Sequence, residues 1–139
     1  MQLQMTTDYS IRIIAYMLTN DAMDKTKLVK AKEMADILGV DYQYSMKVIN
    51  KLKNADIVKS IQGCAGGYYL AESVLGLTFY DIICLMEGEI YLLKCLEEDM
   101  CTRKKTIDCP VQCEFNKLQD AFVSKLKEIK IKNVCSQGF

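Results

Sequence analysis

The chain has 139 residues, which suits one domain with a real core, or a compact domain plus one extra helix, and is too short for two full domains. Eighteen basic residues balance eighteen acidic ones, so no global basic field announces a nucleic-acid partner. Histidine is absent, which excludes a Ser-His-Asp triad, His-based general acid-base catalysis and every His metal ligand, and no substrate turnover is expected.

Local composition is less even than the total. From Tyr42 to Ala71 there are four lysines against Asp56 alone, whereas from Asp81 to Asp99 six acidic residues face only Lys94. A weakly basic module is thus followed by an acidic one. The N-terminus has no charged start followed by an apolar run and a small-residue cleavage site, so a cytoplasmic protein is expected. Seven cysteines kept reduced there favour metal ligation or redox chemistry over a disulfide framework. No apolar stretch approaches the roughly 20 residues needed to cross a bilayer, so no membrane partner is expected.

In chain order, Ile11, Ile14, Ala15 and Leu18 form an apolar stripe on a helix predicted to begin near Thr6 or Thr7, with Thr7 as its cap. Asn20 to Lys25 reads as a turn. Ala31, Met34, Ala35 and Leu38 give a second, short helix stopped by Gly39. Asp41 caps a third, whose stripe is Val48, Ile49, Leu52 and Ala55 and whose free face carries Tyr42, Gln43, Met46, Lys47, Asn50 and Lys51. Helix, glycine-containing turn, helix is the helix-turn-helix pattern.

Ile57, Val58 and Ile61 then suit a strand, residues 63–67 a tight loop and Tyr68 to Leu70 a returning strand, together a two-stranded wing. Thr78 is placed to cap a fourth helix carrying Phe79, Ile82, Ile83 and Met86 and ending at Gly88. Beyond a cysteine-bearing loop, Phe115, Leu118, Phe122, Leu126 and Ile129 recur at a mean period near 3.5 on a lysine-rich helix, a seam that wants a partner helix. The expected fold is mainly α with a small β wing. Residues 1–75 form the winged helix-turn-helix, and residues 76–139 carry the loop and a long C-terminal dimerisation helix.

Cys95, Cys101 and Cys109 are spaced Cys-x5-Cys-x7-Cys, with Cys113 four residues further on. The spacing lacks the Cys-x2-Cys knuckle of most structural zinc sites and suits a loop wrapped around something larger than one ion. An iron-sulfur cluster is the natural candidate; zinc and a thiol or disulfide switch stay open.

Several strings resemble the Rrf-type winged-helix regulators, with their iron-sulfur cluster (IscR) and nitric-oxide-sensitive (NsrR) branches. They are residues 7–12 in the opening helix, 47–52 in the third, the wing at 60–70, and 77–83 with 86–88 leading into the loop. The resemblance covers nearly the whole chain. It implies a homodimeric transcription factor on a palindromic double-stranded operator, most simply a repressor. It also implies a cluster held by Cys95, Cys101, Cys109 and Asp8 from the other subunit, with Cys113 the rival fourth ligand. The NsrR-like set of three cysteines and a carboxylate favours [4Fe-4S] over [2Fe-2S]. Two departures are Gln62, where the family's wing usually carries arginine, and Cys64 at the wing tip.

For DNA, Gln43 and Tyr44 are expected near base edges or sugars, with Tyr42 beside them, and Lys47, Lys51 and Lys59 nearer phosphates. Ser60, Gln62, Gly66 and Gly67 complete the expected contact set on the wing. The competing class of function is a cluster- or zinc-carrying protein-interaction module.

Overall fold

The computed structural model describes residues 2–97 and 109–134. Helices α1 (Met5–Thr19), α2 (Ala31–Leu38) and α3 (Tyr42–Asn54) precede strands β1 (Val58–Ile61) and β2 (Gly67–Leu70). A 3-10 segment (Glu72–Gly76), α4 (Phe79–Glu87), a 3-10 turn (Lys94–Leu96), α5 (Pro110–Glu128) and α6 (Ile131–Val134) follow. This is the expected winged helix-turn-helix followed by a long C-terminal helix.

The turn between α2 and α3 forms where two local preferences meet. Gly39 takes the left-handed conformation, φ 65°, that closes α2. Two residues later the Asp41 carboxylate accepts from the Tyr44 N–H at 3.2 Å and starts α3. The strands pair antiparallel with Val58 opposite Leu70 and Ile61 opposite Gly67. Val29, just before α2, exchanges both backbone hydrogen bonds with Tyr68, at 2.9 and 2.8 Å, and so ties the wing to the helices.

One core joins α1 to α4, the wing and α6. Ile13, Ile14, Met17, Met34, Ile49, Leu52, Leu70, Ile82 and Ile131 are each essentially inaccessible to solvent and belong to one cluster. Burying one such side chain stabilises the fold by roughly 1.5–3 kcal/mol.

Helix α1 differs from expectation. It starts at Met5 behind Gln4, whose side chain makes no cap, and Thr7 lies inside the helix, 1% exposed. Its buried face is Thr7, Ser10, Ile13, Ile14, Ala15 and Met17, so Ile14 and Ala15 of the expected stripe are buried while Ile11 and Leu18 are only half-buried. Two polar residues on the core face displaced the stripe that hydrophobicity alone suggested. Both are satisfied: Thr7 donates to Glu87, and Ser10 to the Thr6 carbonyl at 2.6 Å.

Helix α4 has the expected Thr78 cap, reinforced by Asp81 in a reciprocal capping box. Helix α5 begins with Pro110, whose missing N–H costs nothing in the first turn. It stops at Glu128, so Ile129 is not part of its seam. The Ile129 carbonyl instead accepts from Phe79 N at 2.9 Å, and Ile131 N donates to the Leu77 carbonyl at 3.0 Å, lacing the chain end to α4 and seating Ile131 in the core. Along α5, Leu126 is buried whereas Val111 and Leu118 are 59% and 58% exposed.

Candidate nucleic-acid interface and cysteine loop

Helix α3 buries Ser45, Val48, Ile49 and Leu52 and turns Gln43, Lys47, Asn50 and Lys51 outward. Tyr42 is 51% exposed. Tyr44 behaves differently: half-buried, it packs edge-on to Tyr9, ring centroids 5.6 Å apart and planes at 84°, and so anchors α3 to α1. Lys51 reaches back from the outer face to donate to the Met86 carbonyl at 2.8 Å, at the C-terminal end of α4.

A groove opens between the start of α2, α3 and the wing. The structure brings Tyr42, Ser60, Gln62, Gly66 and Gly67 of the expected set around it, together with Lys30, Lys32, Lys53 and Tyr68. Gln43, Lys47, Lys51 and Lys59 lie outside that lining; Lys59 is exposed on β1. Burial pushes the Tyr68 phenol above its ordinary range, with Tyr42 adding to the effect. Lys30, Lys32 and Lys53 are the residues that sequence reasoning missed. The signal was available in the run Lys25, Lys27, Lys30 and Lys32 at the entrance to α2, a helix end that itself favours anions.

The wing glycines are needed by the wing itself. A Cβ on Gly66 would lie 2.0 Å from the Ile61 carbonyl oxygen, and one on Gly67 would lie 3.0 Å from the Val29 carbonyl oxygen and from Leu28 Cβ. Lys30 Nζ donates to the Cys64 carbonyl at 3.1 Å and fixes the tip from the α2 side.

At the other end of the molecule, Cys95 occupies the Lys94–Leu96 turn and Cys109 caps α5, both half-buried, with Cys113 exposed one turn further on. Gln112 Nε2 donates to the Cys95 carbonyl at 2.9 Å, and the Leu92 N–H donates to Gln119 Oε1 at 2.9 Å. Two glutamines on α5 therefore clasp the chain that delivers Cys95. Cys101 lies outside the described residues, and among the described ones no three Cys, Asp or Glu side chains form a group able to hold a metal ion. Cys64, Cys84, Cys95 and Cys113 are free thiols. Asp8, in the first turn of α1, pairs with Arg12 at 2.8 Å, both side chains about half exposed. An exposed i,i+4 pair is worth roughly 0.3–0.5 kcal/mol, so releasing that carboxylate to another partner costs little.

The Rrf2 family, described as iron-dependent transcriptional regulators, matches residues 3–137. The chain belongs to this family. It is similar to the HTH-type transcriptional regulator NsrR of Shouchella clausii, 25% identical over 134 residues that cover 96% of this chain and 88% of the relative. Among solved structures, CymR of B. subtilis, the global cysteine regulator, superposes with a TM-score of 0.76 at 21% identity, covering 100% of this chain and 99% of that one. IscR of T. potens gives a TM-score of 0.73 at 20% identity, covering 99% of this chain and 88% of that one. Both share the fold. As an Rrf2 protein the chain is a DNA-binding transcriptional regulator, and among the described residues no helix is long and apolar enough to cross a membrane.

Proposed function

We propose that this Rrf2 regulator binds a palindromic duplex as a homodimer, and that an iron-sulfur cluster on its cysteine loop sets the affinity in response to nitric oxide, oxidants or cluster supply. Residues 1–75 read DNA, and residues 76–139 carry the loop and the dimer helix. The observation that carries the reading is the Gln112 hydrogen bond to the Cys95 carbonyl, which ties the chain bearing Cys95 to the first turn of α5, where Cys109 is the N-cap residue.

Thiolate-rich donors suit iron-sulfur ligation, so the donor chemistry fits. Cys95, Cys101 and Cys109 supply three ligands, and Asp8 of the partner subunit, which in its own chain pairs with Arg12, supplies the fourth, with Cys113 its rival. [4Fe-4S] is favoured over [2Fe-2S]. When bound, the cluster supplies a redox-active centre that small oxidants can degrade. Carboxylate is a harder and more labile iron ligand than thiolate, which leaves one corner accessible. Val111 and Leu118, exposed seven residues apart on α5, support a helix pairing across the dimer axis.

On the DNA side, Gln43 and Tyr42 approach bases or sugars, Lys47, Lys32 and Lys53 approach phosphates, and Ser60, Gln62, Gly66 and Gly67 present the wing backbone. Lys51 and Tyr44 support the helix from its sides. The test is fluorescence anisotropy of anaerobically reconstituted protein on a palindromic duplex selected from a random library, at several salt concentrations, before and after nitric oxide. Salt-sensitive, sequence-specific binding that changes on exposure is expected. Specific binding indifferent to nitric oxide, oxidants and iron loading would remove the sensor, and no specific binding would remove the regulator.

A second reading is favoured by Cys113, which is exposed one helical turn from Cys109. In it the loop acts as a cluster-free thiol switch, its reactivity set by thiolate access.

A further inference from the structure

Two adjacent residues at the end of α4 hold two other helices. Glu87 Oε1 accepts from the Thr7 hydroxyl at 2.6 Å and from the Gln4 main-chain N–H at 2.7 Å, so one carboxylate oxygen secures the first turn of α1. Thr7 is 1% exposed, so its hydroxyl is poorly placed to exchange that acceptor for water. The neighbouring residue, Met86, offers its carbonyl to Lys51 Nζ at 2.8 Å, which secures the recognition helix. The other end of α4 is tied to the end of α5, where the Phe79 N–H donates to the Ile129 carbonyl at 2.9 Å.

The position of this turn in the chain gives it meaning. Gly88 follows at once with φ +90°, a conformation that L side chains rarely adopt, and the chain then runs to Cys95. The residue after Thr7 is Asp8. Within one subunit, the chain that carries Cys95 therefore leaves directly from the Met86–Glu87 turn. That turn grips α1 beside Asp8 and α3 beside its outward face.

We infer that the Met86–Glu87 turn is the mechanical link between the cysteine loop and the recognition helix, with Glu87 as a positioning residue that makes no contact with DNA. The inference rests on the proposal that the loop state governs DNA affinity, and it assigns the path by which that control travels. Coupling of this kind requires an element that both sites bias, and this turn touches the loop exit, α1 and α3.

The test is the ratio of operator affinities for anaerobically reconstituted protein and for the same protein stripped with ferricyanide and chelator, on a duplex selected with the wild type. Wild type is expected to give a ratio of about fivefold or more, the lower range of allosteric coupling. In Glu87→Ala the ratio falls to about twofold or less, whereas Glu87→Gln, which keeps an oxygen for both donors, retains most of the coupling. Thr7→Val removes one donor at constant shape, gives an intermediate ratio, and serves if Glu87→Ala fails to fold by circular dichroism. Iron content and visible spectrum stay at wild-type values throughout. A wild-type ratio in both Glu87→Ala and Thr7→Val overturns the link while leaving the sensor intact. Loss of the cluster from Glu87→Ala overturns it in favour of a role in holding the loop. A ratio of one in the wild type removes the sensing proposal and the link with it.

Discussion

Gln112 on α5 donates its side-chain amide to the main-chain carbonyl of Cys95 at 2.9 Å, joining the two ends of the cysteine loop across 17 residues of sequence. The contact commits the Gln112 amide to backbone and helps to fix where Cys95 stands relative to the start of α5. Preorganisation of this kind lowers the entropy that a bound group must offset.

Replacing Gln112 with alanine removes one hydrogen bond, worth roughly 0.5–1.5 kcal/mol. Thermal stability is expected to change little, because the site is peripheral to the core. The lifetime of a reconstituted cluster in air is expected to shorten by about two- to tenfold, as that energy implies. Bleaching of the visible absorption at matched protein concentration measures it. An unchanged lifetime would mean that the clasp does not position the ligand.

The fourth ligand is decided by comparing Asp8→Ala with Cys113→Ala. Loss of Asp8 is expected to alter the cluster spectrum, shorten cluster lifetime and change DNA affinity, while Cys113→Ala leaves all three near wild type. The reverse pattern would assign Cys113.

Wing geometry predicts a contrast between two glycines. Gly66→Ala would push a Cβ to within 2.0 Å of the Ile61 carbonyl, whereas Gly76 has nothing within 4 Å of the same position and no positive φ. Gly66→Ala is expected to destabilise by about 1–3 kcal/mol, as overpacking does, and to weaken DNA binding, while Gly76→Ala is close to neutral. Urea unfolding separates them; equal midpoints would mean that the wing loop relaxes without cost.

Lysines on two surfaces test the docking pose. Lys47→Ala on α3 and Lys32→Ala beside the wing groove are each expected to reduce the slope of log affinity against log salt by about 0.9, the share of one phosphate contact. If neither slope moves, DNA lies elsewhere.

The winged helix-turn-helix and the start of α4 were legible because their punctuation is local: Gly39 and Asp41 fix the turn, the glycines of residues 63–67 fix the wing, and Thr78 starts α4. What escaped depended on distant partners. Thr7 looked like a cap because its hydroxyl suits one, yet its acceptor, Glu87, is 80 residues away. Ile129 fitted the α5 period, but the backbone leaves the helix there to bond Phe79, and Ile131, off that period, enters the core instead. Lys51 was expected on the outward face and Tyr44 near base edges or sugars, and only tertiary contacts gave them Met86 and Tyr9. The loop cysteines were visible by spacing; the clasp by Gln112 and Gln119 was not, because glutamine carries no periodic or capping signal there.

Sensing by this protein requires that the cysteine loop hold a cluster that responds to a small oxidant. The deciding measurement is the absorption and electron paramagnetic resonance spectrum, with iron and sulfide analysis, of anaerobically purified protein before and after nitric oxide. The expected result is a broad band near about 400 nm with about four irons per subunit, bleached on exposure. Colourless protein that holds only zinc, or no metal after attempted reconstitution, would contradict it and leave a winged-helix regulator acting through its thiols.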